Sequence, residues 1–367
     1  MVKLALAIDA LSPQLTGIGR YTWELCKHLP PAPELESVRF YRYGRWFEDP
    51  AWFLRTRKPP RSFVPPFLGR LLAKREFGNV LFHSPNFFLP RACDSGIVTV
   101  HDLSVIRYPH LHPKQRVREF ESGLMDSIAR ASHVITVSKF VAKELTELAG
   151  VAPQKISPIP LGISEAFLNA PQRVGDREVL RRYGLDNTEY CLCVSTIEPR
   201  KGIDHAINAV ASYIKRRRKR IKLVIVGAPG WNNAEIVEKI NCAIAQGIVV
   251  HLGYVAELDI PIIYRGAKLL LYPSQYEGFG LPIVEAMAMG TPVITSNVSC
   301  LPETAQGAAM LIDPRDVELF EDAIGTGLED EGWRETAVQA GKAVAATYSW
   351  EACAAKTVQV YCRYETF

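Results

Sequence analysis

The stretch "SQYEGFGLPIVEAMAMGTPVITS", Ser274 to Ser296, decides the fold. Glu277 and Glu285 have seven residues between them, and that gap holds two glycines and a proline in an otherwise apolar run. The preceding "KLLLYPS" is a short apolar run bounded by a turn, and reads as a strand. Pro282 suits the first turn of a helix, where its missing N–H has no partner to lose. Ala286, Met287 and Ala288 continue that helix, and Gly290 followed by Pro292 stops it. Glu277 therefore lies in a loop after a strand, and Glu285 about one turn into the next helix.

Such a loop is a cradle for phosphate. A helix start presents N–H groups and the positive end of its dipole, and Gly278 and Gly280 let the backbone come close to a ligand. Phe279 and Leu281 alternate with those glycines and complete the expected binding loop. Glu285 is placed to accept hydrogen bonds from a ribose. Glu277 is placed to hold a sugar hydroxyl, or to support positive charge at an anomeric carbon. The plainer alternative is two solvated acids around an ordinary turn.

Outward from this stretch the chain alternates short apolar runs with amphipathic segments. "KLALAID", "NVLFHSP", "GIVTVHD" and "HVITVSK" read as strands in the first half. "EYCLCVS", "IKLVIVG", "GIVVHLG", "AKLLLYPS", "GTPVITS" and "AAMLIDP" read as strands in the second. Strand, loop and helix in succession predict α/β domains with doubly wound parallel sheets, and 367 residues are enough for two. The boundaries read as 1–165, 166–345 and a last helix within 346–367. Ser349 is its N-cap, and Ala352, Lys356 and Val360 lie along one face. Ile156 to Asp176, with its prolines and glycines, reads as the linker. In open parallel sheets ligands bind beyond the carboxyl ends of the strands, so the loops there carry the chemistry.

Composition narrows the function classes. With 22% charged residues and a net charge of +4, the chain is an ordinary globular protein and gives no sign of nucleic-acid binding. The eight cysteines form no Cys-x-x-Cys pair, which suits reduced thiols in a cytoplasmic protein. No apolar run approaches the ~20 residues that span a bilayer. The basic, aromatic stretch Arg45–Phe77 suggests peripheral contact with anionic lipid at the cytoplasmic face of the inner membrane, or an acceptor groove; a long excursion with buried aromatics is the alternative. "IKRRRKR", Ile214–Arg220, reads as a solvated helix end.

Other loops offer candidate groups. "STIEPRKG" sets Arg200 and Lys201 at a strand-to-helix turn, where two cations suit a diphosphate. Gly17 and Gly19 in "LTGIGRYT" start a helix after the first strand. Thr22 stands where a dinucleotide fingerprint needs glycine, so a nicotinamide-dependent oxidoreductase is disfavoured. His101 and Asp102 end one strand and His83 another, with His83 a candidate for the acceptor side. His110 and His112 share a Pro-rich loop but lack the further ligands that zinc needs.

"YEGFGLPIVEAMAMGTPVITS" resembles the signature of the family 4 retaining glycosyltransferases, which have the GT-B fold of two Rossmann-like domains facing across a cleft. The resemblance runs over most of the chain and is strongest from Cys191 to Asp313. It implies an N-terminal acceptor domain and a C-terminal domain for a nucleotide sugar. Glu277 would act at the sugar, Glu285 at the ribose and Lys201 at the leaving diphosphate, while His101 would touch the donor sugar from the N-domain. Tyr254 and Val255 would border the base. Many members carry a second cation where Ser195 stands here, and Arg200 is the candidate to replace it. The pattern is most similar to bacterial mannosyltransferases of polysaccharide and O-antigen assembly. That implies GDP-mannose or a related GDP-hexose as donor and a glycan or lipid-linked oligosaccharide as acceptor, with no metal and no other cofactor. A UDP- or ADP-sugar enzyme, or a scaffold that binds nucleotide sugars without catalysis, are the alternatives.

Overall fold

The computed structural model describes residues 1–56, 77–168 and 175–364. Its strands are β1 (Val2–Ala7), β2 (Leu35–Arg42), β3 (Arg45–Phe47), β4 (Leu81–Ser84), β5 (Gly96–Val100), β6 (Ala131–Thr136), β7 (Ile156–Pro158), β8 (Tyr190–Val194), β9 (Lys222–Val226), β10 (Val249–Gly253), β11 (Leu269–Tyr272), β12 (Val293–Ser296) and β13 (Met310–Ile312). Among the described residues they form a seven-stranded sheet in the order β3-β2-β1-β4-β5-β6-β7 and a six-stranded sheet in the order β10-β9-β8-β11-β12-β13. Every pairing is parallel except β2 with β3. Central strands such as Leu223–Val226 and Leu269–Leu271 are buried along their whole length, as expected where helices cover both faces of a parallel sheet.

The chain forms two compact units. Unit 1 is Met1–Arg107, Gln115–Gly162 and Ser349–Phe367; unit 2 is Tyr108–Lys114 and Ile163–Tyr348. In each sheet the order reverses once, between β1 and β4 in the first and between β8 and β11 in the second. At such a reversal the two neighbouring loops leave on opposite faces and open a crevice beyond the strand ends.

Several local expectations need correction. Ile156–Pro158, within the expected linker, is the edge strand β7, held on β6, and Glu165–Leu168 is a short helix. Pro158 ends this strand and does not mark free chain. β2 and β3 were not anticipated; β3 lies in the basic, aromatic stretch, where Trp46 packs edge-on against Tyr41 and Phe77, and Arg39 stacks on Trp46 at 4.1 Å. Residues 57–76, on which most of the lipid-contact reading falls, lie outside the described residues. The basic end of helix Ile203–Arg217 is solvated as expected: Lys215 to Arg220 are all exposed, and from that surface Arg216 pairs with Glu321 at 3.0 Å and Arg217 with Glu329 at 3.6 Å.

The last helix, Trp350–Cys362, starts at Ser349, whose hydroxyl accepts the Ala352 N–H. It buries Cys353, Thr357, Val358 and Tyr361, and leaves Ala352 and Lys356 exposed. Of the three residues expected along one face, Val360 is buried with this stripe while Ala352 and Lys356 are exposed. Tyr361 explains part of that choice. Its hydroxyl meets His83 Nδ1 at 2.7 Å, and Thr99 Oγ1 meets Nε2 at 2.9 Å. His83 is therefore a core residue of unit 1 and does not line an acceptor surface. Burial, with a smaller contribution from His101, lowers it to about 3, so it stays neutral. Tyr361→Phe leaves a buried imidazole nitrogen short of a partner and should cost about 1–3 kcal/mol. The check is the denaturation midpoint, and an unchanged midpoint refutes the assignment.

Candidate functional site

The strongest cluster of charge lies at the crevice of the second sheet. β8 ends at Val194, and the chain runs through Glu198 into a single turn, Pro199–Lys201, before helix Ile203–Arg217. Gly202 adopts φ +64°, and a Cβ there would sit 2.3 Å from the Pro273 carbonyl oxygen. Only glycine allows this loop to press against the end of β11. That contact brings Lys201 beside the loop that carries Glu277.

The Lys201 ammonium lies 2.5 Å from Glu277 Oε1, and Arg200 Nη1 is 3.3 Å from Oε2. Tyr272, at the end of β11, donates its hydroxyl to Oε1 at 2.7 Å. Arg200 also donates to the Tyr276 carbonyl at 2.9 Å and pairs through Nε with Glu198 at 2.8 Å. The Glu277 N–H donates to Ser299 Oγ at 3.2 Å. Burial alone would raise the Glu277 carboxyl; the Lys201 and Arg200 charges and the two hydrogen bonds outweigh it and hold it at about 2. The carboxylate is ionised throughout the neutral range.

Beyond Glu277 the loop passes Gly278 and Phe279 to Gly280, which has φ +92° and caps helix Leu281–Ala288, with Pro282 in its first turn. That helix starts four residues after Glu277, and the first N–H groups of a helix have no intrahelical partner and suit an anion. Phe279 turns inward: its ring meets Tyr348 edge-on at 5.4 Å, and its carbonyl accepts the Thr304 hydroxyl. Its side chain and carbonyl thus anchor the loop. Glu285 is half-buried and accepts a hydrogen bond from the buried Tyr264 hydroxyl at 2.8 Å. Tyr254 is 55% exposed after β10, whereas Val255 beside it is buried.

Ser195 does not stand in for a cation. Its N–H continues the ladder to Val226, and Arg200 reaches Glu277 instead. Glu198, Tyr264, Tyr272 and Ser299 were missed by sequence reasoning. Glu198 stood inside the quoted "EPRK", and its signal was an acid two residues before an arginine in an apolar setting.

Unit 2 also contains Tyr108–Lys114, far away in sequence. Tyr108 packs edge-on against Tyr276 at 5.5 Å, Leu111 accepts the Asn232 side-chain N–H at 3.2 Å, and His112 lies over Trp231 at 5.5 Å. His112 is thus a packing group. Among the described residues, no group of three or more His, Cys, Asp or Glu is placed to hold a metal.

In unit 1, Gly17 and Gly19 form the first turn of helix Gly17–His28, capped by the Thr16 hydroxyl. Gly19 is needed for packing, since a Cβ would sit 3.0 Å from the Ala10 carbonyl; Gly17 is exposed. His101 is buried at the end of β5, and its Nε2–H donates to the Pro85 carbonyl at 2.7 Å. Burial lowers its pKa and keeps it neutral. Asp102, next in the chain, accepts from the Ser104 N–H and hydroxyl.

Residues 177–344 match the family described as Glycosyl transferases group 1, and residues 15–167 match Glycosyltransferase Family 4. The chain is 33% identical to the O-antigen chain mannosyltransferase B of Escherichia coli, over 98% of this chain and 99% of that protein. It is 25% identical to the serotype-specific mannosyltransferase WbdA of Escherichia coli, over 67% of this chain and 30% of that one. The solved structure of sucrose-phosphate synthase from Thermosynechococcus elongatus superposes with a TM-score of 0.76 at 22% identity, over 99% of both chains. Among the described residues, no helix is long and apolar enough to cross a membrane.

The ion pair has a pH signature. Glu277 is held at about 2 against an ordinary 4.5, so between those values the unfolded chain binds more protons than the folded one. Stability then rises with pH across that window: the contribution of Glu277 is complete above 4.5 and lost as the pH falls towards about 2. Glu277→Gln should flatten the acid side of the curve of denaturation midpoint against pH. Equal slopes in both proteins would remove the ion pair from this account.

Proposed function

The chain belongs to glycosyltransferase family 4 and has the GT-B fold; from that premise we propose that it moves a mannosyl group from GDP-mannose, or a related GDP-hexose, onto a glycan or lipid-linked oligosaccharide during bacterial polysaccharide assembly. The observation that carries this reading is the contact of Lys201 and Arg200 with Glu277 at the β8/β11 reversal, beside the helix tip at Gly280. The mannosyl part rests on the name of the full-length relative, O-antigen chain mannosyltransferase B.

In this mechanism the diphosphate of the donor lies on the amides of the Gly280 tip. Lys201 and Arg200 turn to it and neutralise the charge that grows as the glycosidic bond breaks. These groups do what a divalent metal does elsewhere, so the reaction is metal-independent. Glu277, released from the cations, holds a sugar hydroxyl and supports the oxocarbenium-like centre. Glu285, fixed by Tyr264, accepts from the ribose, and the exposed Tyr254 borders the base. The acceptor attacks on the face from which the diphosphate departs, and the leaving phosphate takes its proton, so the anomeric configuration is retained.

A thermal-shift screen of GDP-, UDP- and ADP-sugars, followed by a transfer assay, tests the reading. GDP-mannose should give the largest shift, and no response to any nucleotide sugar refutes the function. Glu277→Ala should lower kcat by about 10²–10³-fold, with a much smaller change in donor Kd. Lys201→Ala should weaken binding of free GDP by roughly tenfold, about 1.4 kcal/mol. An unchanged Kd removes Lys201 from its role. Activity should persist in chelator, and its complete loss would overturn the metal-free scheme.

A further inference from the structure

The cations meant for an anionic ligand are already neutralised inside the protein. Arg200 and Lys201 are the positive members of the cluster, and Glu198 and Glu277 the negative ones; the ion-pair distances are 2.8, 3.3 and 2.5 Å. Side-chain exposure is 1% at Glu198, 9% at Glu277, 10% at Lys201 and 13% at Arg200, so water screens these charges little. Two positive and two negative charges cancel. Tyr272 and Ser299 are bonded to Glu277, the member that the proposed reaction requires to move. Glu198 has a different position: it is the most deeply buried of the four, and it pairs with Arg200 on the side away from Glu277's bond to Lys201.

We propose that Glu198 is a specificity-determining residue, which keeps the phosphate site electroneutral until a whole nucleotide sugar arrives and so excludes inorganic phosphate. This rests on the sugar-transfer reading above. A site with two uncompensated cations and a helix tip would hold any small phosphate, because charge alone would bind it. With Glu198 and Glu277 in place, a small anion gains little, since taking the cations means leaving a buried carboxylate unpaired. A nucleotide sugar offsets that cost differently. Its sugar hydroxyls give Glu277 a new partner, and its base and ribose add contacts that phosphate lacks. Glu198 meanwhile keeps Arg200 in place when Glu277 lets go. Discrimination therefore comes from a repulsive element aimed at the wrong ligand.

The experiment is a thermal-shift titration of the full chain with inorganic phosphate, at ionic strength held constant with chloride. Glu198→Gln, which preserves shape, should respond at about tenfold lower phosphate than the wild type, a factor equivalent to about 1.4 kcal/mol. The double variant Glu198→Gln, Arg200→Gln restores the charge balance and should return to the wild-type response. A merely structural role for Glu198 predicts no such restoration. Equal phosphate responses in the wild type and Glu198→Gln overturn the proposal. Should Glu198→Gln fail to fold, Glu277→Gln removes one negative charge from the same cluster and carries the same expectation and the same refutation. A parallel titration with GDP, UDP and ADP separates the two readings. A wild type that responds to none of them loses the sugar-transfer function, whereas a wild type that responds, beside variants with unaltered phosphate response, loses only the charge-balance role.

Discussion

A lysine ammonium held 2.5 Å from a glutamate carboxylate, both nearly out of water, is the interaction on which the second unit's site depends. Such a pair is a poor way to stabilise a fold, because desolvating two ions offsets most of their attraction. Apolar side chains of the same volume would serve the core at least as well. The cost is tolerable where charge must be available to a ligand in a place that water does not dilute. Tyr272, bonded to the carboxylate, and Glu198, paired with Arg200, hold the cluster in its ligand-free arrangement.

The fold explains why these groups meet. Lys201 and Glu277 are 76 residues apart in sequence, yet they follow β8 and β11, which are neighbours at the reversal of the sheet. Strand order puts the loops side by side. Gly202 then permits the close approach, and Gly280 turns the chain into the helix that points its amides at the gap. Each step is backbone geometry that a side chain would obstruct.

Much of this was legible before any coordinates. The two glutamates, the glycines around Phe279 and the proline at the helix start specify strand, loop and helix locally, so the unit around them could be read directly. Ser349 likewise marked a helix start, and its hydroxyl accepts the N–H three residues on. What stayed hidden depends on partners remote in sequence. Nothing near His83 announces that Tyr361 will hydrogen-bond to it, so a strand-end histidine read as a ligand group. The edge strand β7 is three residues long and carries a proline, which in a single sequence is indistinguishable from linker. The inward turn of Phe279 depends on Tyr348, and the pairing of Arg216 with Glu321 depends on another helix.

The seven residues Tyr108–Lys114 have an evolutionary consequence. They lie between segments of unit 1 in the chain, yet their rings rest on Tyr276 and Trp231 in unit 2. Recombination that exchanged the C-terminal half with that of a homologue at a single crossover near Gly162 would inherit a foreign heptapeptide against the loop bearing Glu277. A hybrid that keeps the native contacts carries over this short insert with Ile163–Tyr348 and leaves Ser349–Phe367 behind, because unit 2 is discontinuous in the gene.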